Sequence, residues 1–187
     1  MRVIFLDIDG VLNCATHRRK KLCEGDYSVI IESQKVRLLK KLVMRTEATI
    51  VLTSSWRKYW MHEGSVDSAG KRIETALALD GLKILDKTPV LDSGSRSLEI
   101  EQWLKGKSYI DQYVILDDND FLWSKSLRPH WVYCPGETGL TDSLIDSAEN
   151  ILSGKLFPSQ ECSDDQNRRF LNRLRMKATA FFRSKME

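Results

Sequence analysis

The sequence has no long hydrophobic run. Its longest uninterrupted apolar stretches, such as Val3 to Leu6 and Ile50 to Leu52, fall far short of the roughly 20 residues that span a bilayer, so no transmembrane helix and no membrane partner are expected. Met1-Arg2 is followed by only four apolar residues before Asp7, unlike the longer apolar segment of a secretory signal. Cysteine is sparse. Cys14, Cys23, Cys134 and Cys162 show no Cys-x-x-Cys pairing, which is not the pattern of a disulfide scaffold and leaves a reduced, cytoplasmic protein as the expectation. An excess of one charge is also lacking: 29 Lys+Arg against 26 Asp+Glu give a net charge of +3, too little by itself to specify an anionic partner. There is no internal repeat. What is present is a 42% hydrophobic, 29% charged chain of 187 residues, enough for one compact domain with a small extra element and not the composition of a disordered one.

The apolar residues fall into short blocks. Val3-Ile4-Phe5-Leu6 is a run of β-formers closed by Asp7-Ile8-Asp9-Gly10, the pattern of a strand buried on both faces that ends in a polar turn. Thr49 to Leu52 before Thr53-Ser54-Ser55 repeats it, as does Tyr113 to Leu116 before Asp117-Asp118, and His130 to Tyr133 is a fourth case. Between them lie helical spacings: Ser33 as N-cap, then Val36, Leu39, Leu42 and Val43; Leu98, Ile100, Trp103 and Leu104; and Leu144, Ile145, Ala148, Ile151 and Leu152 before Gly154. Buried strands alternating with helices predict a parallel sheet with right-handed crossovers. Residues 13–31 are too long for a simple connection and contain His17-Arg18-Arg19-Lys20-Lys21, which predicts a projecting basic flap. From Arg57 to Arg96 the pattern is mixed, with a short helix around Ile73 to Leu79. After a polar linker, residues 168–185 place Phe170, Leu171, Leu174, Ala178, Phe181 and Phe182 at helical spacing among basic residues.

Three strands end in polar residues that can hold a phosphate or a metal, and the carboxyl edge of a parallel sheet is where ligands bind. Asp7 and Asp9, two apart at a strand end, can share one side of the chain. Crowded carboxylates repel unless a cation or shared proton intervenes. With Asp117 and Asp118 they make an all-oxygen set without Cys or His, suited to Mg²⁺ rather than zinc. A carboxylate in such a place can attack a phosphoryl group while its neighbour protonates the leaving oxygen and later activates water. Thr53, with the backbone N–H groups of Ser54 and Ser55, can bind phosphate oxygens, and a Lys or Arg is needed to balance charge.

Phe5-Leu6-Asp7-Ile8-Asp9-Gly10-Val11-Leu12 resembles the first signature of the haloacid dehalogenase-like (HAD) superfamily, Val51-Leu52-Thr53 the second, and Val114-Ile115-Leu116-Asp117-Asp118 the fourth. Arg96 to Leu104, and Gly136-Glu-Thr-Gly-Leu-Thr after the fourth motif, resemble the small HAD domains of multi-enzyme RNA repair proteins. The resemblance covers roughly residues 2–152. It implies that Asp7 is the nucleophile and Asp9 the general acid/base, with the Asp9 carbonyl also on Mg²⁺. It further implies that Thr53 and Ser54 bind phosphate, that Asp118 is the direct acidic metal ligand, and that Asp117 lies beside it. The single basic residue of the third motif is open between Arg96 and Lys87. Superfamily phosphatases have the second Asp, whereas dehalogenases and P-type ATPases do not, which favours phosphate ester hydrolysis.

Plainer readings exist for each feature. Asp-x-Asp-Gly can be a capped turn alone. A phosphorelay receiver also clusters carboxylates, Thr and Lys, but its adjacent acidic pair comes first in the chain and here it comes late. Trp56 and Arg57 either pack or line the site. The flap is either a solvated loop or an electropositive rim, and the tail helix either packs or faces nucleic acid. The expected fold is α/β, a Rossmann-like three-layer sandwich with a central mostly parallel sheet, a minimal cap and a C-terminal amphipathic helix. The domain spans 1–154 and the linker with its basic tail 155–187, the latter holding eight basic and four acidic residues. The expected activity is that of a Mg²⁺-dependent phosphohydrolase acting on a nucleotide or a polynucleotide terminal phosphate. The alternatives are a small-metabolite phosphatase and a noncatalytic phosphate or nucleic-acid binder.

Overall fold

A computed structural model describes residues 1–17, 19, 31–65 and 68–155. Most of the expected flap and all of the tail helix lie outside the described residues. Five strands, β1 (Arg2–Leu6), β2 (Thr49–Leu52), β3 (Ile84–Lys87), β4 (Gln112–Asp117) and β5 (Trp131–Tyr133), form one sheet in the order β3-β2-β1-β4-β5. Every pairing is parallel, so the sheet is parallel throughout rather than mostly so. Among the described residues, four α-helices accompany it: α1 (Ser33–Thr46), α2 (Ser68–Ala78), α3 (Arg96–Leu104) and α4 (Asp142–Leu152). None of the described helices is long and apolar enough to cross a membrane.

The strands are apolar at successive positions because both faces are covered. Ile4, Leu6, Ile50, Leu52, Val114 and Leu116 pack with Val36, Leu39 and Leu42 of α1, Ile73 and Leu77 of α2, and Ile145 and Ala148 of α4. Their neighbours Val3, Phe5, Val51 and Ile115 point the other way, onto Ile100 and Trp103 of α3 and onto Trp123 and Leu127. Strand order explains the layers. The chain moves outward from β1 to β2 to β3 and then returns to β4 on the far side of β1. Right-handed crossovers therefore put α3 on the opposite face from α1 and α2. The reversal between β1 and β4 is the switch point of the sheet, where a crevice opens at the carboxyl ends.

Two local expectations change. Ser33 is the first residue of α1 and not its cap; Glu32 holds that position without a capping side-chain bond, because its carboxylate is engaged by the Cys14 N–H at 2.8 Å. The mixed segment from Arg57 to Arg96 contains β3, whose Ile-Leu-Asp-Lys sequence is too short and too polar to announce a strand. As an edge strand, β3 has only β2 beside it, and half-exposed positions are tolerated there.

Candidate active site

Asp7 follows β1 directly, its N–H donating to Leu116 O at 3.0 Å, and Thr53 follows β2, its N–H donating to Leu6 O at 2.9 Å. The sheet ladder thus continues into the polar residues and fixes their backbone. Phe5 lies in register with Ile115, and period-two alternation carries Asp7 and Asp117 to that same face, the side on which α3 begins. Arg96, the first residue of α3, reaches both: its Nη1 lies 3.0 Å from Asp7 Oδ1 and 2.6 Å from Asp117 Oδ2. The Phe121 ring covers the other side of the guanidinium at 4.4 Å.

Oxygen atoms of Asp7, Asp117 and Asp118 lie within 4.8 Å of one another. Asp118 is held by its neighbours. Asn119 Nδ2 donates to its Oδ1 at 2.6 Å, and Gly10 and Gly136 close on its other oxygen. A Cβ added to Gly10, where φ is +78°, would sit 2.3 Å from Asp118 Oδ2, and one on Gly136 would sit 3.0 Å away. Gly10 is required by this approach of backbone to carboxylate, and Gly136 leaves little room beside it.

Among the described residues, Arg96 pairs with two of the three carboxylates, Asp7 and Asp117, and their protonation reflects the crowding. Burial pushes the Asp7 carboxyl above its usual range, while Arg96 and hydrogen bonds from Ser54 and the Ile8 backbone oppose the rise. Asp117 is likewise raised, by burial first and then by the Asp7 charge, against the pull of Arg96. Asp118 is pushed up to about 6 for the same leading reasons. Burial works against the Arg96 charge, but Asp117 and Asp7 outweigh it and hold the guanidinium protonated. An all-oxygen set with surplus negative charge is the donor chemistry of a hard divalent cation, so these residues fit Mg²⁺.

Asp9 is exposed and stands apart from this trio. Asn13 Nδ2 donates to its Oδ1 at 2.9 Å and Trp56 Nε1 to its Oδ2 at 2.8 Å. Asn13 also accepts the Gly10 N–H at 2.9 Å, so one side chain shapes the turn and orients the carboxylate. Thr53 is fully buried, and its hydroxyl has no hydrogen-bond partner among the described residues. Such an orphan is costly unless a water or a ligand meets it. Ser54 caps the short 3-10 helix Ser55–Lys58 by accepting the Trp56 N–H. Lys87 does not join the carboxylates: its Nζ donates to the carbonyls of Arg57 at 3.0 Å and Trp60 at 2.6 Å. In the described part of the flap, Arg19 pairs with Glu137 at 2.9 Å.

Asn13, Phe121 and the Trp56 contact escape sequence reasoning. No periodicity marks a side chain that matters through one hydrogen bond or one ring face. Asn13 did carry a faint signal, since it stands four residues after Asp9 in a turn that must close on itself.

A family model described as the HAD domain in Swiss Army Knife RNA repair proteins matches residues 3–145. No curated protein and no solved structure matches the chain.

Proposed function

Since the chain belongs to the family of HAD domains in Swiss Army Knife RNA repair proteins, we propose that it is a Mg²⁺-dependent phosphohydrolase acting on the terminal phosphate of a polynucleotide or on a nucleotide. The observation that carries this reading is the buried Thr53 hydroxyl, unpartnered among the described residues, together with a carboxylate trio of which Asp7 and Asp117 pair with Arg96. Asp7, Asp117 and Asp118 would hold the metal, with the Asp9 carbonyl as a further oxygen ligand. Bound Mg²⁺ supplies positive charge that keeps the carboxylates ionised and offsets charge on the phosphoryl oxygens.

An Asp7 carboxylate oxygen attacks phosphorus, the bond to the leaving oxygen breaks, and that oxygen takes the proton of Asp9. Water then attacks the aspartyl phosphate, gives its proton to Asp9 and releases inorganic phosphate with Asp7 restored. Arg96 steadies the nucleophile and the charge growing on the transferred group, while Thr53 and the Ser54 and Ser55 N–H groups bind phosphoryl oxygens. Phe121 over Arg96 keeps water from one face of the guanidinium.

The test is Mg²⁺-dependent phosphate release from a generic aryl phosphate by wild type and Asp7→Asn, followed by nucleotides and 5′- and 3′-phosphorylated oligonucleotides. Loss in Asp7→Asn is expected, and full activity there refutes covalent catalysis. Oligonucleotide turnover that falls with salt supports a polynucleotide substrate; turnover of small phosphates alone, without salt dependence of binding, refutes it.

A further inference from the structure

Arg57 and Glu99 form an ion pair at 2.6 Å with both side chains almost fully buried. Arg57 also donates from Nη1 to the carbonyls of Thr53 at 3.1 Å and Ser54 at 2.9 Å, and from Nη2 to Pro89 O at 3.5 Å. Glu99 additionally accepts the Leu91 N–H at 3.1 Å. Glu99 is three residues after Arg96 in α3, so the two share a face of one helix. Three segments therefore meet at one pair: the turn after β2, the link after β3, and the helix that presents Arg96.

Stability is a weak reason for such a pair. Buried ion pairs seldom add to stability over apolar residues of similar volume, and Arg57 keeps an Nε without a partner among the described residues besides. Its geometric effect is large. A trans peptide directs each N–H opposite the carbonyl that precedes it. Pinning the Thr53 and Ser54 carbonyls to Arg57 turns the Ser54 and Ser55 N–H groups away from it, on the turn whose Thr53 N–H is bonded to Leu6 O, the residue before Asp7.

On the phosphohydrolase reading above, we propose that Arg57 and Glu99 are positioning residues that lock the phosphate-binding turn Thr53–Ser55 to the helix carrying Arg96, so that phosphate donors and arginine act as one rigid cradle. Neither touches substrate. Their contribution is registry between two elements that approach the phosphate from different crossovers.

The experiment uses the full chain and three sets of substitutions: Glu99→Gln, which keeps an acceptor and removes the charge; Arg57→Met with Glu99→Leu, which removes both charges and keeps the volume; and each of these combined with Thr53→Val. Folding is followed by circular dichroism and thermal melting, and activity by aryl phosphate turnover and inhibition by inorganic phosphate. The apolar pair is expected to fold with a melting temperature near wild type and to lose about 10²-fold in kcat, the effect of misplacing groups by about 1 Å. In the Thr53→Val background the further loss shrinks, because the lock acts through the turn that Thr53→Val has already disabled. A folded variant with wild-type kcat, or losses that multiply with that of Thr53→Val, overturns the assignment. Unfolding of every variant also overturns it, since the pair is then a stability element. Wild-type chain without Mg²⁺-dependent turnover refutes the function itself, whereas an active wild type beside unaffected Glu99→Gln refutes only the lock.

Discussion

Thr53→Val should make the protein more stable and a poorer phosphatase at once. Valine matches threonine in shape and replaces the hydroxyl with a methyl group. Thr53 has no exposed surface, and its Oγ1 meets no donor or acceptor among the described residues, so the folded protein carries the desolvation cost of an unsatisfied hydroxyl, about 1–3 kcal/mol. Removing it stabilises the ligand-free protein by at least about 1 kcal/mol, which in a chain of this size raises the melting temperature by about 2–4 °C. The functional change has the opposite sign. A hydrogen bond to a charged phosphate oxygen contributes about 1.5–3 kcal/mol, so kcat/KM for an aryl phosphate falls about 10- to 150-fold and inorganic phosphate inhibits correspondingly less. The assays are thermal melting with and without Mg²⁺ and phosphate, and steady-state turnover. Phosphate raises the wild-type melting temperature through mass action and raises that of the variant less. If Thr53→Val melts below wild type without ligand, the hydroxyl has a partner when folded. If phosphate inhibition is unchanged, the hydroxyl is not a phosphate contact. Either result refutes the reasoning.

Further outcomes follow from the same geometry. In chelator, the folded protein binds protons more tightly than the unfolded chain between pH 3.8 and about 6 at Asp118, so stability from this group is greatest below that window and is lost as pH rises through it. Melting temperatures across this range should decline less steeply in Asp118→Asn and in saturating Mg²⁺; identical slopes in wild type and Asp118→Asn would sink the idea. Gly10→Ala drives a Cβ against Asp118 at a left-handed φ and should raise the Mg²⁺ concentration for half-maximal activity about 10- to 100-fold. Gly81→Ala, with φ +75° but open space around it, should cost about 1 kcal/mol of stability with activity per folded molecule intact. Asp9→Asn should slow hydrolysis of alkyl phosphates by about 10²–10⁴-fold and of aryl phosphates much less, since a good leaving group needs little protonation; equal losses on both substrates would argue against a general acid.

Legibility in the sequence followed the range of the interaction. The strands β1, β2 and β4 and the helices α1, α3 and α4 are readable because their patterns repeat every two or 3.6 residues. Strand β3 is not, because four residues on a sheet edge leave no pattern, and the capping role given to Ser33 failed because Glu32 has a partner 18 residues away. The acidic residues of the candidate site were visible as endings of apolar runs. Their surroundings were not, since Asn13 and Phe121 act through single contacts, and Trp56, open between packing and lining the site, shows its bond to Asp9 only in the fold.

The sequence by itself determined that apolar strands would be buried on both faces, that the sheet would be parallel, and that Asp7, Thr53 and Asp117 would stand at its carboxyl edge. Each follows from local alternation of side chains and from the chirality of crossovers. Only the tertiary structure decided which cation reaches the carboxylates. Arg96 and Lys87 are equivalent as charges in a sequence, but α3 begins over the switch point and aims Arg96 at Asp7 and Asp117, whereas Lys87 ends on the carbonyls of Arg57 and Trp60. It likewise decided that Asp9 turns to Trp56 and that Arg57 finds Glu99. A side chain's partner is set by which segments the fold brings within a few ångströms, and that distance is a property of the whole chain.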